Sequence, residues 1–306
     1  MNYLNKISLA FVVTIVSCFP KEEKVEPSLR IYQSVSIDAG PNKNDVVFYS
    51  LDEGEIVAKA SPMDWDLYID KEMIIINYYR SMSVAKATTN WESTNDTIGL
   101  SFSFLTDQSN DSLSQWELSE DQIYVINMGL DNDYNPMGFI VLKVNRTPNG
   151  IILKCKDLEG EDEFVNEIDK DDFYYNLRNE TQQNLPNAKE YDLAFGKYTD
   201  YITVDDVSQD YIIYGAILGN ASAYLLNEEF DEINVTDFDD TQLSLRKDVI
   251  GWDWKRFSLD KNAYEILPKM TYLISTNSSY PCKLRFVDYL NEQGISGHPT
   301  FEYELL

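Results

Sequence analysis

No stretch of ten or more residues in this chain repeats its apolar side chains at helical spacing. It offers instead short apolar runs separated by turn-forming clusters. Residues 73–79 and 211–218 are apolar, rich in isoleucine and tyrosine, and of strand length. Residues 300–305 alternate apolar with polar side chains, the pattern of a half-buried strand. Turn residues punctuate 131–136, 147–150, 159–162, 277–280 and 293–299. The 21 Tyr and 14 Phe suit a pleated, partly buried surface. The pattern predicts an all-β, β-dominated fold with few short helices, the best helical candidate being a turn near 228–233. Residues 88–118 are polar, and only 99–105 look like a strand.

A repeat lies inside this pattern. Phe48-Tyr49-Ser50-Leu51 followed by Trp65-Asp66-Leu67 returns, 126 residues later and without a gap, as Tyr174-Tyr175-Asn176-Leu177 followed by Tyr191-Asp192-Leu193. Tyr49, Leu51, Asp66 and Leu67 recur as Tyr175, Leu177, Asp192 and Leu193, and Trp65 becomes Tyr191. A looser echo matches residues 123–126 with 271–274, and 152–154 with 283–285. The expectation is two β modules, residues 41–165 and 166–306, built on one plan.

The N-terminus reads as an address. Residues 1–17 form a secretory signal: Lys6 supplies the positive charge, and the apolar run behind it is too short to span a bilayer as a helix. Ile15-Val16-Ser17-Cys18 resembles a bacterial lipobox, which makes Cys18 the expected lipid-attachment site. Residues 18–40 then read as a charged tether.

Charge narrows the partners. The chain carries 25 basic and 52 acidic residues, a net charge of −27. Such a surface repels phosphate backbones, so nucleic acid is not an expected partner. Residues 131–135 mimic the start of a calcium loop, but Pro136 replaces the glycine and Leu142 the closing glutamate. Beyond Cys18 only Cys155 and Cys282 remain, and a disulfide between them is left open. Two thiols and one histidine cannot make a four-ligand zinc site.

The last hundred residues carry the most specific signal. Gly251-Trp252-Asp253-Trp254 is followed by Tyr272-Leu273-Ile274, Lys283-Leu284-Arg285-Phe286, and a closing segment over 294–301. This order resembles the C-terminal half of the HmuY-like family of Bacteroidetes surface lipoproteins, and Asp64 to Leu67 and Tyr191 to Phe195 resemble that family's Trp-Asp-Leu-Ala-Phe strand. The resemblance implies a β-rich, lipid-anchored protein on the outer-membrane surface that binds a small ligand and passes it to a TonB-dependent receptor. Lys21-Glu22-Glu23 looks like the export tag that sends such lipoproteins to the outer face. The alternative within the same fold is a non-haem surface interaction or structural lipoprotein.

Haem is the ligand that the resemblance brings in, and the residues do not name a ligand for its iron. The best-known members use two histidines, whereas this chain has His298 alone, inside the closing segment and expected to pack there. Some relatives use methionine pairs. Met63, Met73, Met82, Met128, Met137 and Met270 survive processing, with Met73 expected in a core strand and Met137 in a turn better placed to meet a ligand. No cofactor is assigned. Trp252, Trp254 and Phe257 are expected on one strand face, chiefly as core, with Asp253 and Lys255 on the other.

Enzyme signatures are missing. A serine hydrolase needs a histidine base and a Gly-x-Ser-x-Gly elbow, and no elbow occurs. No P-loop and no Gly-x-Gly-x-x-Gly follows a strand. A binding protein, not an enzyme, is the expectation, with no catalytic and no metal-ligating residue.

Overall fold

Alternation along two strands explains most of the architecture. In β2 (Val46–Ser50), Val47 and Tyr49 enter one apolar core while Val46 and Phe48 enter another. In β13 (Leu193–Val204), Leu193 and Phe195 share the first of these cores and Ala194 and Tyr198 the second. Successive strand residues point to opposite faces, so a strand apolar at every position must be covered on both sides. The computed structural model describes residues 32–69, 74–103, 121–148, 150–168, 173–204 and 207–306. Cys18, Lys21, Glu22, Glu23 and Met73 lie outside the described residues.

Two pairs of antiparallel sheets each enclose a core. In the first pair, a five-stranded sheet runs β10 (Glu163–Ile168), β9 (Gly150–Lys156), β8 (Phe139–Thr147), β7 (Ile123–Asn127), β6 (Ser83–Lys86). Its partner runs β12 (Thr181–Gln183), β11 (Phe173–Asn176), β4 (Leu67–Ile69), β5 (Ile74–Ile76). Leu67, Ile126, Leu142, Leu153 and Tyr175 meet between them. In the second pair, β1 (Gln33–Ser36), β20 (Ser296–Leu305), β19 (Pro281–Leu290), β18 (Thr271–Ser275) and β15 (Ser222–Leu226) face β14 (Val207–Leu218), β13, β2 and β3 (Glu55–Ala60). Tyr49, Phe195, Tyr272, Phe286 and Phe301 fill that core. A third cluster, with Phe48, Trp65, Tyr79, Tyr174 and Tyr191, joins the two four-stranded sheets. A separate hairpin, β16 (Lys255–Ser258) with β17 (Ala263–Ile266), stands outside these sheets.

The 126-residue offset reappears in the pairing register, but across the two copies. Tyr49, Phe48 and Val47 pair with Leu193, Ala194 and Phe195. Tyr175, Tyr174 and Phe173 pair with Leu67, Tyr68 and Ile69. The repeated aspartates do the same work at both places. Asp192 accepts from the Leu51 N–H at 2.7 Å and Asp66 from the Leu177 N–H at 2.6 Å. Their own N–H groups donate to Tyr49 O at 2.9 Å and Tyr175 O at 2.8 Å. Each four-stranded sheet therefore takes its Tyr-x-Leu strand from one copy and its Asp-Leu strand from the other. The expected boundary at 165/166 falls inside β10, whose register partner is β9.

Several expectations change on contact with the fold. Within the segment read as tether up to residue 40, Gln33–Ser36 form β1, which completes the edge of the sheet beside β20. In the looser echo, β7 and β18 are topological counterparts, but residues 152–154 and 283–285 are not: the counterpart of β9 is β20. Residues 99–103 form no strand; Ser103 makes a single bridge to Val84. Cys155 and Cys282 are free thiols buried in different cores, and burial pushes both thiols well up. The turn near 228–233 is a single 3-10 turn, Phe230–Glu232.

Candidate functional site

The β13–β14 hairpin is longer than the sheet it belongs to. β2 pairs with only three of its residues, so the hairpin runs on past the core edge. The face that carries Phe195 opposite Ala216 in the core carries Lys197 opposite Tyr214 two residues further on. There the β14 residues Ile212 and Tyr214, Tyr289 of β19 and the β16–β17 hairpin enclose a cleft of about 330 Å³. That volume is at the small end of ligand pockets, which run from ~300 to ~1,000 Å³.

Its lining is unlike the rest of the chain. Seven aromatic side chains contribute, among them Tyr134, Tyr214, Trp252 and Tyr289, together with the cations Lys43, Lys197, Lys255 and Arg256. None of the described lining residues is acidic, in a chain with twice as many acids as bases. Lys43 donates to Ser296 Oγ at 3.0 Å, and Lys197 to Asn44 Oδ1 at 2.9 Å and Tyr134 Oη at 3.0 Å. Among the described residues, Arg256 is the one cleft cation paired with a carboxylate, Glu265 at 3.3 Å.

Lys255 departs furthest from expectation. Placed by alternation on an outward face, it is 5% exposed, whereas Phe257 is 47% exposed. The segment before it is a turn, not a strand. Gly251 takes a positive φ of 57°, and Trp254 lies flat on Phe286 with centroids 3.8 Å apart. That stack draws Trp254 into the core and rotates the next residue inward. The Lys255 ammonium donates to Tyr214 O at 2.8 Å and Trp252 O at 3.2 Å. It also lies 4.3 Å from the Trp254 ring centroid and 4.6 Å from that of Tyr289, within cation–π range. Burial, helped by nearby Lys43 and opposed by Asp253, pushes its pKa down to about 7. Trp252 is half-buried and donates to Asp200 Oδ2 at 2.8 Å.

The residues weighed from sequence as haem ligands do not line this cleft. His298 sits in β20 with Nδ1 3.7 Å from Asp38 and Nε2 3.4 Å from Asn291 Nδ2. Met82 and Met128 are fully buried core, and the Met82 sulfur receives a hydrogen bond from Arg80 at 3.1 Å. Met137 packs on the same core. Met270 borders a different cavity of about 250 Å³ beside Phe286 and Arg285. Residues 131–135 are closed by their own chain, Asp131 Oδ1 accepting from the N–H groups of Asp133 and Asn135. The cleft lysines and Tyr214 escaped sequence reasoning. One tyrosine among 21 carries no local mark, and the lysines are far apart in sequence.

The chain is a β-sheet protein with a cleft lined by aromatic side chains and lysines. The sequence model of the HmuY protein family matches residues 42–303, and the chain belongs to that family, some of whose members bind haem. No curated protein matches the chain. Among solved structures it is similar to apo PinO from Porphyromonas gingivitis, at 9% identity and a TM-score of 0.37, covering 91% of this chain and 98% of that one. It is also similar to the apo HmuY analogue of Tannerella forsythia, at 10% identity and a TM-score of 0.34, covering 92% and 98%.

Proposed function

We propose that this protein is an outer-membrane lipoprotein, anchored through Cys18 and carried to the cell surface by Lys21, Glu22 and Glu23. There it captures a small ligand for transfer to a TonB-dependent receptor. The observation that carries the ligand part is an aromatic cleft whose described lining holds lysines and an arginine but no acid, in a strongly acidic protein. The anchor part rests on the lipobox-like residues 15–18. Cys18→Ala is expected to abolish labelling by a fatty-acid probe and to release the protein from the membrane; equal labelling of both forms would remove the anchor. Protease shaving of intact cells tests surface exposure.

Haemin tests the ligand part. The chain from Glu22 onward keeps all of residues 32–306, a compact unit by itself. Haemin added to it is expected to change the absorption spectrum without a bis-histidine signature, since a single chain holds only His298. His298→Ala is expected to leave the titration unchanged, because His298 does not border the cleft. A bis-histidine spectrum, which would need two chains sharing one haem, would overturn this. The second reading, a non-haem interaction lipoprotein, is favoured by a cleft lining that holds no histidine or methionine among the described residues. An unchanged spectrum would select it over haem capture.

A further inference from the structure

We infer that the cleft selects a small flat aromatic anion, such as an aromatic carboxylate. Its charged group is bound by Lys255 and Tyr214, with Lys43 and Lys197 at the rim, and binding requires no metal. This rests on the ligand-capture reading and names the ligand's class.

Two unsatisfied donors point to an acceptor. An ammonium has three N–H donors, and Lys255 uses two of them on Tyr214 O and Trp252 O. The third has no hydrogen-bond acceptor among the described residues. The Tyr214 hydroxyl is buried and likewise has no partner. A buried polar group without a partner is costly, and an acceptor arriving with the ligand removes that cost.

The charge pattern agrees. Lys43, Lys197 and Lys255 have no carboxylate within 4.0 Å among the described residues, while Lys59, Lys143, Lys154 and Lys283 each have one. The overall charge of −27 attracts cations from a distance, so a local cationic pocket reverses the preference that the protein's net charge sets. Hydrogen bonds from a cation to a carboxylate are about twice as strong as neutral ones. The aromatic walls supply faces for a ring, and the described lining residues include no His, Met or Cys.

Calorimetry on the chain from Glu22 onward tests this with 2-naphthoate and with 2-naphthylmethylammonium, which shares the ring and reverses the charge. 2-Naphthoate is expected to bind one to one, at least tenfold tighter than the cation. Lys255→Met should weaken it at least tenfold, and Tyr214→Phe several-fold. Affinity should also fall from pH 6 to 8 as Lys255 loses its proton. The charged groups that act on it are Lys43 and Asp253, Lys197 and Arg256 also line the cleft, and the other titratable groups of the described lining are Tyr134, Tyr211, Tyr214, Tyr264 and Tyr289. If Lys255→Met fails to fold, Tyr214→Phe and Lys197→Gln carry the test. Equal affinity for the two probes, or wild-type affinity in folded variants, overturns the inference. Haemin binding with neither probe bound overturns this ligand class but leaves capture standing. No binding of haemin or either probe overturns both.

Discussion

Trp65→Ala is expected to destabilise the fold by ~3–5 kcal/mol, and Tyr191→Ala by a comparable amount, the usual range for deleting a buried aromatic. Both side chains are at most 5% exposed and sit in the cluster that joins the two four-stranded sheets. Their contacts match through the repeat. Trp65 packs on Tyr174 at 5.7 Å between ring centroids, and Tyr191 packs on Phe48, the residue equivalent to Tyr174, at 4.8 Å. Each ring thus packs on a strand of the other copy. Denaturant unfolding of the two variants measures this. A cost under 1 kcal/mol at either site would mean that the two positions are not equivalent anchors.

Asp66→Ala is expected to cost ~3–5 kcal/mol, because removing one member of a buried ion pair strands its partner. Asp66 is fully buried and pairs with the buried Arg80 guanidinium. Its other oxygen holds the Leu177 N–H. Replacing both residues, as Asp66→Asn with Arg80→Met, should cost less than Asp66→Ala alone, since no unpaired charge is left. Asp192 holds the same position in the other copy without a cation: Asn277 N–H, at 2.7 Å, takes the place of the guanidinium. Asp192→Ala should therefore be the milder change. If the two aspartates cost the same, charge burial is not what separates them.

What was legible in the sequence is local. Alternation in residues 300–305 located β20, where Phe301 and Tyr303 do point into the core. Of the apolar run at 73–79, Ile74–Ile76 form a strand while Tyr78 and Tyr79 enter a 3-10 turn, and the run at 211–218 lies wholly within β14. The 126-residue offset was legible because its matched residues are tied to like hydrogen bonds: Asp66 and Asp192 each accept from a backbone N–H of a neighbouring segment. The family was legible from an ordered series of C-terminal motifs.

What only the tertiary structure decided is everything that depends on which strand lies beside which. The repeat alone could not reveal that its strands pair across copies, because the offset is the same whether a Tyr-x-Leu strand joins its own Asp-Leu strand or the other's. Lys255 shows the same limit at the site. Period-two alternation holds only while the backbone stays extended, and residues 252–254 form a turn after Gly251, so that Trp254, stacked on Phe286, and the adjacent Lys255 are both buried. The cleft gathers Lys43, Lys197, Tyr214, Lys255 and Tyr289 from segments up to 246 residues apart. A cluster of that kind exists only after the chain has folded, since burial, electrostatic attraction and hydrogen bonding depend on distance in space, not on distance along the chain.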